Sequence, residues 1–447
     1  MAFACDPETM KSLLHRLFPR DGSAGLWRDR DFLRLWTSLT VIHFGGQITF
    51  LALPLTAALL LNATPLEMGV LSALETVPYA LFGLFAGVLV DRVRKLPIII
   101  WCDVGRGIAL LAIPVSAWLD MLSMQVLYAS GFVIGTGSVI GWPAYQVFMT
   151  ERVGRSRLVE ANAKIGVSDS AAQLVGPGLA GALIQWLTAP FAILLDAMSF
   201  FFSAWILRGI SSRESDAPKM RATSVGAEIR EGLAAIWRNP TLRALAWAIA
   251  LWQMFRQAYF AIVILFAARE LGFSAGHLGV LWMLAGVGAL AAAVLANRLN
   301  RRFGFGRVML GGLFGTGVAW LIVAFASGTH LASSMQFAFG LLVLDFSGML
   351  FFVNYLTLRQ AVTPDELLGR VTATMICLTV AAAPFGGLLG GWIAEHEGPR
   401  FALMLAGLGA IALVPCIACA SPLAGLHTLP SPPPARVTES VPEEMPH

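Results

Sequence analysis

The chain has 447 residues, 57% of them hydrophobic and only 13% charged. A soluble domain carries about 25% charged residues, so a water-facing surface of this size is excluded. The net charge of +4 is too small to argue for a nucleic-acid partner. The five cysteines are scattered; Cys416 and Cys419 lie in an apolar run with no histidine nearby and read as small fillers, not as a metal site.

A helix needs about 20 mostly apolar residues to cross a hydrocarbon core of about 30 Å. Residues 1–31 hold no such run and read as a cytoplasmic tail, leaving insertion to the first span. Six spans follow near 32–60, 67–90, 97–119, 123–150, 160–187 and 190–209, which makes 32–209 an N-terminal six-helix bundle. The stretch 210–240 is polar and reads as a cytoplasmic linker. Six more spans near 241–269, 276–298, 306–327, 332–358, 369–394 and 399–421 make 241–421 a second bundle. The Pro-rich segment 422–447 is expected to be a disordered cytoplasmic tail. The fold class expected is therefore an all-α membrane protein of twelve helices.

Charge placement supports this map. Of the 31 basic residues, all but Arg106, Arg256, Arg269 and Arg400 fall on one side of it, as the positive-inside rule requires of the cytoplasmic face. The halves echo each other: Gly69-Val70-Leu71 opens span two and Gly279-Val280-Leu281 opens span eight. Span five carries Gly176-Pro177-Gly178 and Gly181, and span eleven carries Pro384, Gly386, Gly387, Gly390 and Gly391. Repeats of this kind place a binding site between the halves near mid-membrane.

The turn Gly87-Val88-Leu89-Val90-Asp91-Arg92-Val93-Arg94-Lys95 puts an acid and several bases between spans two and three. Asp91 can pair with a base and face the positive end of another helix, a latch that must break when the protein changes state. This segment resembles the G-x-L-a-D-R-x-G-R/K loop of the major facilitator superfamily, matching at Gly87, Leu89, Asp91, Arg92 and Lys95 and departing at Arg94. The resemblance continues through Leu26–Trp36, Pro143-Ala144, Ala161-Asn162, Gly176-Pro177, Asp196 and Gly369-Arg370-Val371. It covers nearly all of residues 26–420 and points to the branch of enterobactin-exporter and macrolide-efflux-type proteins. It implies two pseudo-symmetric six-helix bundles, alternating access, and proton-coupled export of a small amphipathic molecule such as a drug, siderophore or secondary metabolite. Nutrient uptake and lipid flipping are the alternatives. The helix-bending motif Gly176, Pro177 and Gly181 is similar to one associated with proton-driven exporters, and Gly369 and Arg370 fall to the latch.

Ionisable side chains inside spans are costly and must face protein or water. Asp103 and Arg106, three apart on one helical face, read as a structural ion pair, and Asp196 reads as structural too. Arg256 and Asp345 sit mid-span and can pair; coupling to protons and a static ion pair both remain open. Glu75 and Asp169 are further proton-coupling candidates. His43 and Gln47, four apart, and the aromatics Trp142, Trp252, Phe255 and Tyr259 are candidates for a substrate cavity. No phosphate-binding loop or catalytic motif occurs, so no enzyme activity, cofactor or metal is expected. The expected partners are the lipid bilayer, a small-molecule substrate and protons, and the expected state is a monomer in a bacterial plasma membrane.

Overall fold

In lipid, backbone polar groups must find partners inside their own segment, and the chain answers with helices. A computed structural model describes residues 25–210, 225–364 and 367–428, and among these no strand occurs. The helices are α1 Arg30–Leu55, α2 Pro65–Arg92, α3 Lys95–Trp118, α4 Met124–Val153, α5 Leu158–Leu187, α6 Ala189–Leu207, α7 Val225–Arg238, α8 Pro240–Arg269, α9 Ala275–Phe303, α10 Phe305–Ala324, α11 His330–Val362, α12 Leu368–Glu397 and α13 Pro399–Ala420. Ten are long and apolar enough to cross a membrane. The other two long ones, α2 with 28 residues and α5 with 30, pack among them.

Local chemistry sets the helix ends. Asp29 caps α1, accepting from Asp31 N at 3.0 Å and Phe32 N at 3.2 Å. Thr64 and Glu67 form a reciprocal capping box at the start of α2, with Pro65 in the first turn, where its missing N–H costs nothing. Asn239, Ser274 and Thr329 cap α8, α9 and α11. The stretch expected to be a plain polar linker contains the amphipathic α7. It buries Ile236 and seats Gly232 against the Arg370 carbonyl and the Thr374 hydroxyl of α12.

The repeat is visible bond by bond. A π turn, Thr56–Leu60, ends α1; Leu61 N donates to Thr56 O at 3.3 Å and Ala63 N to Ala57 O at 2.9 Å. At one constant offset, Leu271 N donates to Phe266 O at 3.3 Å and Phe273 N to Ala267 O at 3.0 Å. Asn62 and Gly272 share a positive φ, as do Thr188 and Gly398. These pairs relate α1–α6 to α8–α13.

The halves meet towards one end only. A Cβ on Gly69 would stand 2.5 Å from the Gly387 carbonyl and 2.8 Å from Gly391 Cα, so α2 and α12 cross backbone to backbone. Gly279 meets Pro177 and Gly181 in the same way, bringing α9 onto α5. Small residues permit this approach. Further along, Gly178 packs on Met283 and Gly286 on Leu174. About two turns beyond, the same stripes are bare: Val167 is 67% exposed and Val294 74%. Nothing lies near Gly87 or Gly369. A cleft therefore opens between the halves at the end bearing Arg92–Lys95 and Arg155–Arg157, here termed the basic end, and is shut at the other.

Candidate functional site: a cleft between two helix bundles

The stripe of α5 that turns to the cleft is polar: Asn162, Gly166, Ser170 and Gln173 are exposed. Val175 and Leu179, exposed on another face, are apolar, as lipid requires. Asp169 sits beside this stripe, 43% exposed at its side chain, with His43 Nδ1 of α1 at 3.4 Å. Gln173 donates to the Asp169 carboxylate at 2.9 Å. Lys164, a turn away in sequence, is committed elsewhere: it binds Glu160 at 2.6 Å and lies over the Trp27 ring at 4.4 Å. Asp169 is thereby left to His43. Gln47 lies against Gly176, where any side chain would displace it.

Across the cleft, Arg256 of α8 lies over the rings of Trp252 at 5.6 Å and Phe260 at 4.8 Å. Asp345 of α11 is its electrostatic neighbour, but the two form no direct ion pair among the described contacts. The mid-span pair expected from sequence is thus a charge pair at a distance, with the guanidinium held by aromatic faces. The shut end of the cleft is roofed by Phe50, which packs edge-on against Phe260 at 6.2 Å and Trp282 at 5.8 Å. Gln257 closes the same region by donating to the Ser72 hydroxyl at 2.7 Å.

The four aromatics expected to wall a single pocket do not meet. Tyr259 is fully buried and stacked on Trp320 at 5.2 Å. Phe255 packs on Gly409 of α13. Trp252 turns to Phe351 at 5.0 Å, so these three belong to the core of their own bundle. Trp142 lies in the other half, stacked with Tyr145 at 6.3 Å. Residue type made each a candidate for a cavity wall, and residue type does not say which way a ring points.

Asp103 and Arg106 are bonded to each other but not isolated. Ser203 donates to Asp103 at 2.5 Å, and its hydroxyl stands 2.7 Å from that of Ser38. The pair borders a cavity of about 250 Å³ within the N-terminal half, shared with His43, Tyr79, Trp142 and Tyr145. Asp196 accepts from Thr49 and from Ser199. Glu75 backs onto Gly131 and Gly135 of α4, inside the same half and away from the cleft.

Of the residues expected to form the latch, Lys95 and Arg370 make no ion pair with the opposite bundle among the described contacts. Arg92 is exposed, Lys95 is buried beside Glu151 at 3.9 Å, and Arg370 pairs with Glu231 of α7. The Asp91 side chain lies outside the described residues. Sequence reading missed the Phe50–Phe260–Trp282 roof, Gln173, and the serines around Asp103; only the polar residues Ser170 and Gln173 at helical spacing carried a usable signal.

Two bundles of membrane-spanning helices around a polar, one-sided cleft define a transporter. A family model for the Major Facilitator Superfamily matches residues 35–376 and 245–443, and the chain belongs to that family, whose members are transporters rather than enzymes. An uncharacterized MFS-type transporter, y4rN of Sinorhizobium fredii, is 28% identical over 410 residues, which are 90% of this chain and 95% of that one. The multidrug efflux pump Tap of Mycolicibacterium fortuitum is 27% identical over 82% of this chain and 89% of its own length. A mutant of the nucleoside transporter NupG shares the fold with a TM-score of 0.72 at 10% identity, over 88% of this chain and 99% of that one.

Proposed function

We propose that the protein is a secondary active exporter of a small amphipathic molecule, driven by protons moving inward, in a bacterial plasma membrane. The observation that carries this reading is the cleft. It is open at one end only, and its walls bear His43 and Asp169 on one side with Arg256 and Asp345 on the other. A carboxylate exposed to water in such a cleft can take up a proton, and a guanidinium backed by aromatic rings can hold an acceptor group on a substrate. The basic end is the cytoplasmic one, because Lys and Arg are retained there, so a substrate enters from the cytoplasm. Residues 32–209 and 241–421 then rock as two bundles about the site, with 1–31, 210–240 and 422–447 on the cytoplasmic side. When the cytoplasmic end shuts, Gly87, Asp91, Arg92 and Lys95 come to the start of α12 at Gly369 and Arg370 and latch it. The resemblance to Tap supports drug-like cargo. Uptake of a nutrient, the second reading, is favoured only by the shared fold with a nucleoside transporter.

Inside-out vesicles loaded with the protein and offered a panel of labelled amphipathic compounds test this reading. Accumulation of at least one compound, abolished by a protonophore, is expected. Asp169→Asn and Asp345→Asn should each lower proton-dependent accumulation at least tenfold, and Asp169→Asn the more strongly of the two. Accumulation that survives the protonophore and both substitutions would contradict proton coupling.

A further inference from the structure

The shut end of the cleft is built twice from equivalent positions. In one copy the start of α2 meets the end of α12; in the other the start of α9 meets the end of α5. The constant offset that relates the two turns also carries Gly69 onto Gly279, Gly181 onto Gly391 and Pro177 onto Gly387, which are the crossing residues of the two interfaces. It likewise carries Leu66 onto Gly276 and Gln185 onto Glu395. Both of these side chains reach the other half. Leu66 N, in the first turn of α2, donates to Glu395 Oε2 at 3.1 Å. Gln185 Oε1 lies so close to Gly276 that no Cβ would fit between them. One interface thus has a neutral amide at this place and the other a carboxylate.

The difference matters because of where the oxygen sits. The start of a helix presents unpaired N–H groups and a partial positive charge, and a charged acceptor there binds more tightly than a neutral one. The groups around Glu395 leave it free for this task. Glu67 is engaged by the Thr64 N–H at 2.8 Å. The His396 ring bonds the Trp392 carbonyl at 2.9 Å. Arg400, on α13, faces Glu270 at 3.7 Å. A second charged contact crosses the halves nearby: the Arg269 guanidinium at the end of α8 donates to the Ala58 carbonyl from Nε at 3.1 Å and from Nη2 at 2.6 Å. Ala58 belongs to the π turn that ends α1. Position 59, the equivalent of Arg269, is Leu59, so this contact too exists in one copy only.

We infer that Glu395 and Arg269 form the charged latch of the outer gate: they tie the C-terminal bundle to the ends of α2 and α1 and hold the cleft shut on the side away from the basic end. Gln185 supplies the neutral counterpart across the gate. The latch mirrors the arrangement proposed for Asp91, with the helices exchanging roles. At one end an acid near the end of α2 serves the start of α12, and at the other an acid near the end of α12 serves the start of α2. Both ties must break for the cleft to open outward. The inference rests on the alternating exposure proposed above but not on cargo, protons or direction.

The test measures distance across the outer end in full-length protein in lipid nanodiscs. The native cysteines are replaced and spin labels are placed through Met121→Cys and Leu331→Cys, both highly exposed and in opposite halves. The parent should populate a short distance predominantly and a longer one as a minority. Glu395→Ala should raise the longer population about three- to tenfold; Arg269→Ala should act in the same direction, and Glu395→Gln less, since its amide oxygen still accepts. Gln185→Ala should have the smallest effect. Glu395→Gln, close in shape to the native residue, keeps the comparison available if an alanine variant unfolds. Distributions for Glu395→Ala and Arg269→Ala that superimpose on a two-distance parent would overturn the latch and leave the transport reading intact. A single distance in the parent and in every variant, at both neutral and acidic pH, would overturn both.

Discussion

Charged side chains within this membrane protein are handled in two ways, and each has its own consequence. Asp103 is 1% exposed, bonded to Arg106 and to Ser203, with the Arg106 guanidinium over the Phe200 ring at 4.4 Å. Removing one member of such a pair strands the other in apolar surroundings, at a cost of about 3–5 kcal/mol. Asp103→Ala should therefore lower the melting temperature of the purified protein clearly, while the double change Asp103→Leu with Arg106→Leu should lower it less. A double variant as unstable as the single one would show that the pair is not the unit of stability. Asp169 is instead open to the cleft, and Asp169→Asn should leave the melting temperature nearly unchanged. The sequence made all these charges visible through their cost in lipid. It did not give their direction: Tyr259 and Phe260 are neighbours in the chain, yet one stacks on Trp320 and the other reaches Phe50 across the halves. A turn of about 100° per residue separates core from cleft, and only the packed neighbours say which is which.

Element ends follow residue type more directly than element faces do. Asp29, Thr64, Asn239, Ser274 and Thr329 are capping residues by type and act as such, and apolar length located the long helices to within a few residues. α7 was not expected because hydropathy does not mark a surface helix: residues such as Ile236, which is buried, are spaced for a surface rather than a span. Its docking depends on Gly232, where a side chain would run into the Arg370 carbonyl and Thr374. Gly232→Leu should lift α7 from α12 and free Arg370 from Glu231, and limited proteolysis should then cut the linker several times faster. Unchanged cleavage would mean that α7 is held by other contacts.

At the scale of the whole molecule, the doubled construction explains both the fold and the cleft. Glycine pairs bring α2 onto α12 and α5 onto α9 at one end, and the bundles diverge from there, exposing Val167 and Val294. The sequence announced the repeat through Gly69 and Gly279. That these glycines meet across the halves, rather than within them, required the packing. The distribution of basic residues is the ground for the proposed orientation, and it is on this that the transport reading turns. Sided labelling is the most direct measurement of that claim. With native cysteines replaced, single cysteines at Arg94, Val167 and Met121 are exposed to a membrane-impermeant maleimide in intact cells and in inside-out vesicles. The account predicts that Arg94→Cys and Val167→Cys label strongly only in inside-out vesicles and Met121→Cys only in intact cells. Labelling of Val167→Cys from the same side as Met121→Cys, with Arg94→Cys reacting from the other, would contradict a cleft open to the cytoplasm.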